Sequence, residues 1–132
     1  MKIVGIDYGE KRIGIAVSDQ GGTIAFPREV IHNNDGAIAH IVQLVQQEDV
    51  KRFVIGDTRA SSGRSNAITA EAEEFAMRIA RATGKPVARA YELGSSVEAS
   101  RYAPKGKQHE DAAAAAIILQ RYLDMNAANI DA

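Results

Sequence analysis

The sequence contains no cysteine and no apolar run long enough to cross a bilayer. Without cysteine the chain can form neither disulfides nor thiolate metal sites, which suits a protein of a reducing compartment. The N-terminus also lacks a basic segment followed by an apolar core, the pattern of a targeting signal. We therefore expect a cytoplasmic protein with no membrane partner.

The chain has no excess of charge of either sign. It has 16 basic and 17 acidic side chains, and its formal net charge is −1. Proteins that coat themselves with nucleic acid are strongly basic on at least one face. Any polyanionic partner must therefore be met by a local cluster of basic residues, as in transient catalytic contact.

The length and composition predict one globular domain that spans residues 1–132. Hydrophobic residues make up 45% of the 132 positions and charged residues 25%, which is ordinary for a soluble domain able to bury a core. No internal repeat or second domain is indicated. We expect the tail at 126–132 to be frayed.

The N-terminal segment predicts a β-hairpin whose first strand ends on a carboxylate. Two apolar runs flank a turn-prone segment at 8–11, and Asp7 closes the first run. A carboxylate at the end of an apolar strand is unfavourable unless a cation compensates it. A metal ion would do so, and so would an ion pair with Lys11 or Arg12. The hairpin alone does not choose between them.

The rest of the chain alternates helical and strand patterns. A third strand at 23–31 contains Pro27, which predicts an edge position or a break. The cap signal Asn33-Asn34-Asp35 then predicts a helix that ends near residue 48. The elements expected after it are a strand at 53–55, a polar loop at 58–66, a helix that stops at Gly84, a strand at 86–92, a short helix from Ser95, a basic loop at 101–107 and a last helix from about 109 to 125.

This element order is that of the ribonuclease H-like fold. Three strands joined by short turns form an antiparallel meander, and each later helix–strand unit is a crossover that adds a parallel strand. We therefore predict an α/β domain with a mixed five-stranded sheet, three antiparallel strands and then two parallel ones, flanked by helices. In such a sheet the first strand is central, and the fourth and then the fifth lie beside it.

Three carboxylates lie at element ends that this topology brings together. Asp7 ends the first strand, Glu92 ends the fifth, and Asp111 lies in the first turn of the last helix, beside an alanine-rich face. Converging carboxylates repel one another unless cations lie between them, and hard oxygen ligands suit Mg²⁺ or Mn²⁺. Two such ions about 3.5–4 Å apart would activate a water and stabilise the leaving oxygen in phosphodiester hydrolysis. Each acid alone has an ordinary structural explanation, but the three together favour a metal site.

Other charged residues are candidates for supporting roles. Asp57 closes the fourth strand and could support or replace a metal ligand. His109 could touch phosphate, with an exposed helix-cap position as the alternative. Asp19 is expected to serve a turn, and Tyr8 to pack in the core. Candidate contacts to substrate phosphates, each with a solvated surface position as the alternative, are Lys11, Arg12, Arg59, Arg64, Lys105 and Lys107.

These residues also carry a family resemblance. The stretch GIDYGEKRIGIAVSD resembles the opening motif of the YqgF/RuvX-like family, whose members are described as pre-16S rRNA nucleases and as Holliday junction resolvases. Further similar segments follow in order, namely Val54-Ile55-Gly56, Glu92 with residues 95–99, and DAAAAAIIL at 111–119. The resemblance implies a ribonuclease H-like fold and divalent-metal nuclease chemistry on structured nucleic acid. By position it implies that Asp7, Glu92 and Asp111 are the catalytic acids.

The chain departs from the family pattern around two of its motifs. Tyr91 and Leu93 replace an acid and an arginine on either side of Glu92, and Asp57 replaces the leucine of a Gly-Leu-Pro segment. The lost arginine removes a phosphate or structural contact, so these changes bear on substrate preference and rate.

We therefore expect a metal-dependent nuclease whose first candidate substrate is precursor 16S rRNA, with the ribosomal particle as a candidate partner. The alternative is resolution of four-way DNA junctions, which requires a dimer that cuts two strands symmetrically; the sequence leaves monomer and homodimer open. A third interpretation is a non-catalytic nucleic-acid-binding module. A phosphate loop at 5–9 of an actin-like ATPase is disfavoured, because such folds need two domains.

Overall fold

A five-stranded mixed sheet carries three helices in the computed structural model, which describes residues 1–56, 65–90 and 110–127, with the side chains of 1–56, 70–90 and 112–125. The elements, in chain order, are β1 Lys2–Asp7, β2 Arg12–Ser18, β3 Ala25–His32, α1 Ala37–Gln47, β4 Val50–Gly56, α2 Ser65–Thr83, β5 Val87–Arg89 and α3 Glu110–Ala127. Within these ranges no helix is long and apolar enough to cross a bilayer.

The strand order is β3-β2-β1-β4-β5, with β1 at the centre. The hairpin-connected strands β1, β2 and β3 pair antiparallel, whereas β4 pairs parallel with β1 and β5 with β4. Parallel pairing requires a crossover, which α1 and α2 provide. The predicted ribonuclease H-like sheet is therefore confirmed.

The edge strand β3 contains a bulge at its proline. Ile15 of β2 pairs with Glu29, but the next residue, Ala16, pairs with Pro27, so Arg28 is the extra residue. Proline has no N–H to donate to the ladder, and bulges relieve such a break at sheet edges. The predicted edge position of this strand is confirmed.

The two faces of the sheet bury separate hydrophobic clusters. Side chains alternate along β1, so Val4 and Ile6 pack with α1 and α2, whereas Gly5 lies against α3. The cluster under α3 contains the buried residues Ala16, Val54, Ala90, Ala115, Ile118, Leu119, Tyr122 and Leu123.

Helix α3 lies close to the sheet because glycine and alanine occupy the contact. A Cβ on Gly5 would lie 2.7 Å from the Cβ of Leu119 and 3.0 Å from the carbonyl oxygen of Ala115. On β4, a Cβ on Gly56 would lie 3.0 Å from the Cδ1 of Ile118. The alanine-rich helix therefore approaches the sheet at a distance that no larger residue at position 5 would allow.

Several predicted boundaries are wrong. Helix α1 begins at Ala37, after an N-cap at Gly36 that has no side-chain capping bond. The Asn34 side chain instead accepts a hydrogen bond from the Gly36 N–H at 2.9 Å, within the preceding turn. Strand β5 ends at Arg89, and the rest of its predicted range, from Tyr91, lies outside the described residues.

Helix α2 begins at Ser65, so the prediction of a polar loop at 58–66 is wrong for its last two residues. Helix α2 stops before Gly84, which has the positive φ of +73° expected at a helix stop. Helix α3 continues to Ala127, so the prediction that the tail frays from residue 126 is wrong for its first two residues; residues 128–132 lie outside the described ranges.

Glu48, just after α1, ties three elements together. Its carboxylate accepts a hydrogen bond from Lys2 Nζ of β1 at 2.7 Å and one from Arg28 Nη1 of β3 at 2.5 Å. The hydrogen bond from Lys2, followed by the charge of Arg28, holds the pKa of Glu48 below its usual value. This ion pair therefore stabilises the folded state only while Glu48 is ionised.

Replacing Gly5 by alanine is expected to destabilise the protein by about 1–3 kcal/mol, because the new methyl group meets the backbone of α3 and the helix must shift. Gly36→Ala is the matched control, since Gly36 has an ordinary φ of −88° and its nearest contact is 3.4 Å away. Urea unfolding of the two variants measures the difference. Equal stability of the two variants would contradict the close contact.

Replacing Glu48 by glutamine should lower the free energy of unfolding by about 0.5–1 kcal/mol at neutral pH. Because the folded-state pKa is depressed, the wild-type advantage is present at and above about pH 5 and disappears as the pH falls through the folded-state pKa. Urea unfolding at a series of pH values checks this. Glu74→Gln, on the exposed side of α2, should leave stability unchanged, and a wild-type advantage that persists at about pH 2 would contradict the ion pair.

Candidate functional site

Asp7 is a buried carboxylate at the end of the central strand. It is only 5% exposed, and it pairs in register with Gly14 of β2 and Gly56 of β4. Residues paired in this way project toward the same face. Because both neighbours are glycines, no side chain from the adjacent register positions covers that face beside Asp7.

That face is the one covered by α3. Gly5 contacts α3 directly, and Asp7, two residues further along β1, projects to the same side of the sheet. The helix runs antiparallel to β1. Its residues Ala115 and Leu119 lie at Gly5, whereas the later residue Tyr122 lies nearer the start of β1, because its hydroxyl accepts a hydrogen bond at 2.9 Å from Nη1 of Arg52, the register partner of Ile3. The N-terminus of α3 is therefore directed toward the end of β1 that carries Asp7.

Asp111 belongs to the first turn of α3. It precedes Ala115, whose carbonyl oxygen faces Gly5, by one helical turn of about 5.4–6 Å. Strands β1, β4 and β5 run parallel, so their carboxyl ends lie at the same edge of the sheet. Glu92 comes after the carboxyl end of β5 in the sequence. The Asp111 side chain and the whole of Glu92 lie outside the described residues.

The turn that follows Asp7, residues 8–11, is anchored at its base by Tyr8. The Tyr8 ring lies 5.2 Å from that of Phe75, and its hydroxyl donates to Glu71 Oε1 at 3.4 Å. Burial raises the pKa of Tyr8, and the nearby Asn33 amide opposes that shift. The predicted packing role of Tyr8 is confirmed.

The predicted substrate contacts fall into two groups. Lys11 and Arg12 are exposed at the turn after Asp7. The candidates that lie outside the described residues are Asp57, Arg59, Arg64, Lys105, Lys107 and His109. Among the side chains that the structure does describe, which include Asp7 but not Glu92 or Asp111, no three His, Asp or Glu residues are grouped to hold a metal ion.

Two other features of the sheet have structural roles. Asp19 accepts hydrogen bonds from the backbone N–H groups of Thr23 and Ile24 at 2.7 and 3.0 Å, and these bonds lower its pKa; its predicted role in a turn is confirmed. A cleft of about 590 Å³ lies near the opposite end of β1, and its lining includes Lys2, Arg28 and Glu48. Lys2 and Arg28 each form an ion pair with Glu48.

Asn33 is a residue of this region whose contacts the sequence patterns do not reveal. The Asn33-Asn34-Asp35 run is typical of a helix cap, yet the Asn33 side chain donates to the carbonyl oxygen of Gly9 at 2.8 Å, across 24 residues of sequence. The one hint of this contact in the sequence is that an asparagine stands directly after a strand predicted to pair with the hairpin.

Comparison with known proteins identifies the family. The family model described as "RuvX: Holliday junction resolvase" matches residues 1–125. A protein of Bordetella petrii, provisionally named a pre-16S rRNA nuclease, is 40% identical over 128 residues, which cover 92% of this chain and 94% of the relative. A protein of Chloroflexus aurantiacus with the same provisional name is 37% identical over 136 residues, covering 96% of this chain and 89% of the relative.

Solved structures support the fold. RuvC of Thermus thermophilus, in a structure described as a complex with a Holliday junction substrate, superposes with a TM-score of 0.56 at 17% identity and covers 95% of this chain and 96% of its own. A second RuvC structure from the same organism gives a TM-score of 0.53. The family model, the relatives and the fold agree with the resemblance of the N-terminal hairpin, and the chain belongs to the RuvX family of nucleases.

Proposed function

We propose that this protein is a divalent-metal-dependent nuclease whose catalytic acids are Asp7, Glu92 and Asp111 and whose substrate is precursor 16S rRNA. The observation that carries the proposal is Asp7, a buried carboxylate at the end of the central strand with glycine on both sides. An apolar sheet retains such a group where a cation compensates its charge.

The residues on this edge fit Mg²⁺ or Mn²⁺. Carboxylate oxygens are the ligands these ions prefer, and the register partners of Asp7 in both neighbouring strands are glycines, which place no side chain of their own beside it. The direction of α3 supports the approach of Asp111 to the same edge, and the direction of β5 supports that of Glu92. When bound, two ions would supply charge neutralisation at the phosphate and a more acidic water.

The chain itself supplies binding and orientation. Asp7 lies at the end of β1, which is paired with β2 on one side and β4 on the other, so its backbone is held from both sides. Lys11 and Arg12 are exposed at the adjoining turn, where they would contact phosphates next to the scissile bond. In a chain of net charge −1, this local basic turn accounts for attraction to nucleic acid.

RNA is the first candidate substrate because relatives that share most of their length with this chain carry the provisional name pre-16S rRNA nuclease. On this proposal the ribosomal particle is the setting in which the precursor is met. The second candidate is a four-way DNA junction, which the family description names and with which RuvC of Thermus thermophilus is described in complex. Symmetric cleavage of a junction would require a homodimer.

Replacing Asp7 by asparagine should reduce cleavage at least about a hundredfold, because the neutral amide no longer attracts a divalent cation. The assay uses labelled single-stranded RNA, a precursor-like RNA and a four-way DNA junction, each with Mg²⁺, Mn²⁺ or EDTA. Asp35→Asn, at an exposed position before α1, is the matched control and should keep full activity.

The preferred substrate in this assay decides between RNA processing and junction resolution. Cleavage of every substrate by Asp7→Asn at the wild-type rate would contradict the assignment of Asp7. Absence of cleavage and of Mn²⁺ binding in the wild-type protein would leave a non-catalytic binding module.

Replacing Lys11 by alanine should weaken nucleic-acid binding and lower its salt dependence. Loss of one phosphate contact reduces the slope of log K against log salt concentration by about 0.7–0.9. Binding of a labelled RNA to Asp7→Asn protein, which does not cleave it, is measured between low and moderate salt. Lys51→Ala, an exposed lysine at the other end of the sheet, is the control, and equal slopes for the two lysine variants would contradict the role of Lys11.

A further inference from the structure

We propose that Asn33 is a positioning residue that fixes the turn at 8–11, so that Lys11 and Arg12 stand ready beside Asp7 before nucleic acid binds. This inference rests on the proposed function. It assigns a role to a residue that lies just after β3, outside the three acids and the basic side chains.

Asn33 holds the turn on both sides of its tip. Its backbone N–H donates to the carbonyl oxygen of Lys11 at 2.9 Å, and its side-chain Nδ2 donates to the carbonyl oxygen of Gly9 at 2.8 Å. The tip residue between these two carbonyls, Glu10, is exposed. Asn33, the residue directly after β3, therefore binds the backbone on both sides of the tip.

The two bonds have different origins. Arg12 and His32 are register partners in the β2–β3 ladder, and the backbone bond from Asn33 to Lys11 extends that ladder by one step. Any residue at position 33 except proline would make this bond. The bond to Gly9 requires a side chain with a donor, so it can be removed without disturbing the ladder.

The base of the turn has contacts of its own, in addition to the Asn33 side chain, which also reaches the Tyr8 hydroxyl. The Tyr8 N–H donates to the carbonyl oxygen of Gly56 at 2.8 Å, and the Tyr8 ring packs on Phe75. Loss of the Asn33 side chain should therefore loosen the tip and its basic residues but leave Asp7 in place.

A loosened tip affects binding more than chemistry. A lysine on a mobile turn, and an arginine directly after that turn, lose more conformational freedom when they meet a phosphate than the same side chains at a fixed turn. The Asn33 side chain is thus expected to influence KM through Lys11 and Arg12, with little effect on the reaction of bound substrate or on metal affinity.

The test compares Asn33→Ala with Asn34→Ala. The Asn34 side chain accepts a hydrogen bond from the Gly36 N–H within its own turn and, among the described residues, has no bond to the turn at 8–11, so this neighbour is a matched control. For Asn33→Ala we expect a KM about five- to tenfold higher with kcat within about twofold of wild type, as for the loss of one hydrogen bond that acts on binding. Asn34→Ala should match wild type, and Mn²⁺ affinity should be the same in all three proteins.

A second comparison shows whether Asn33 acts through the basic residues. In a Lys11→Ala, Arg12→Ala background, adding Asn33→Ala should change KM less than about twofold, because residues that act together are not additive. If Asn33→Ala lowers the folded fraction, Asn33→Leu, which is similar in size but has no donor, replaces it in both comparisons.

The inference is overturned if Asn33→Ala behaves like Asn34→Ala, if its effect falls on kcat, or if the full effect persists in the double-variant background. These results would leave the proposed nuclease function intact, since the wild type would still cleave and Asp7→Asn would not. Absence of metal-dependent cleavage and of RNA binding in the wild type would overturn the proposed function, and this inference with it.

Discussion

The close packing of α3 on the central strand is the contact on which the rest of the arrangement depends. Gly5 lets the backbone of the helix lie where a methyl group would meet Leu119 and Ala115 at 2.7 and 3.0 Å. The same strand ends two residues later at Asp7, and Asp111, in the first turn of the same helix, lies one turn before Ala115. The contact between Gly5 and α3 therefore sets the packing of the core and also the separation of Asp7 from Asp111. A substitution that changes this contact is expected to affect both the stability of the core and the position of the two acids.

The positions of the charged side chains matter more for the proposed binding of nucleic acid than the net charge of the chain. The chain is nearly neutral, and many of its charged side chains bind one another, as Glu48 does with Lys2 and Arg28. Asp7 is buried at a strand end, and its register partners in both neighbouring strands are glycines. A buried anion beside an exposed basic turn suits a phosphodiester substrate, whose phosphates meet the basic residues while a cation satisfies the carboxylate.

Much of the fold could be predicted from sequence, because β-type and helical periodicities are long and clear in this chain. The hairpin, the central first strand, the edge position of the Pro27 strand and the stop at Gly84 were all predictable from local rules. The start of α1 was not, because Asn34 forms a turn before Gly36 instead of a cap, and both uses favour asparagine. The contact of Asn33 with Gly9 joins residues 24 apart, and no local pattern encodes it. For the site, sequence identified Asp7, and its burial agrees with a functional carboxylate; Glu92 and the Asp111 side chain remain predictions because they lie outside the described residues.

The most direct test of the proposed metal site is the position of Mn²⁺ in crystals of the wild-type protein, located by its anomalous scattering. We expect a peak at about 2.0–2.4 Å from a carboxylate oxygen of Asp7, with oxygens of Glu92 and Asp111 completing the protein ligands of the bound metal. The peak should be absent from isomorphous Asp7→Asn crystals. Manganese bound elsewhere, or bound equally well without the Asp7 carboxylate, would contradict the claim that these three acids form the nuclease site.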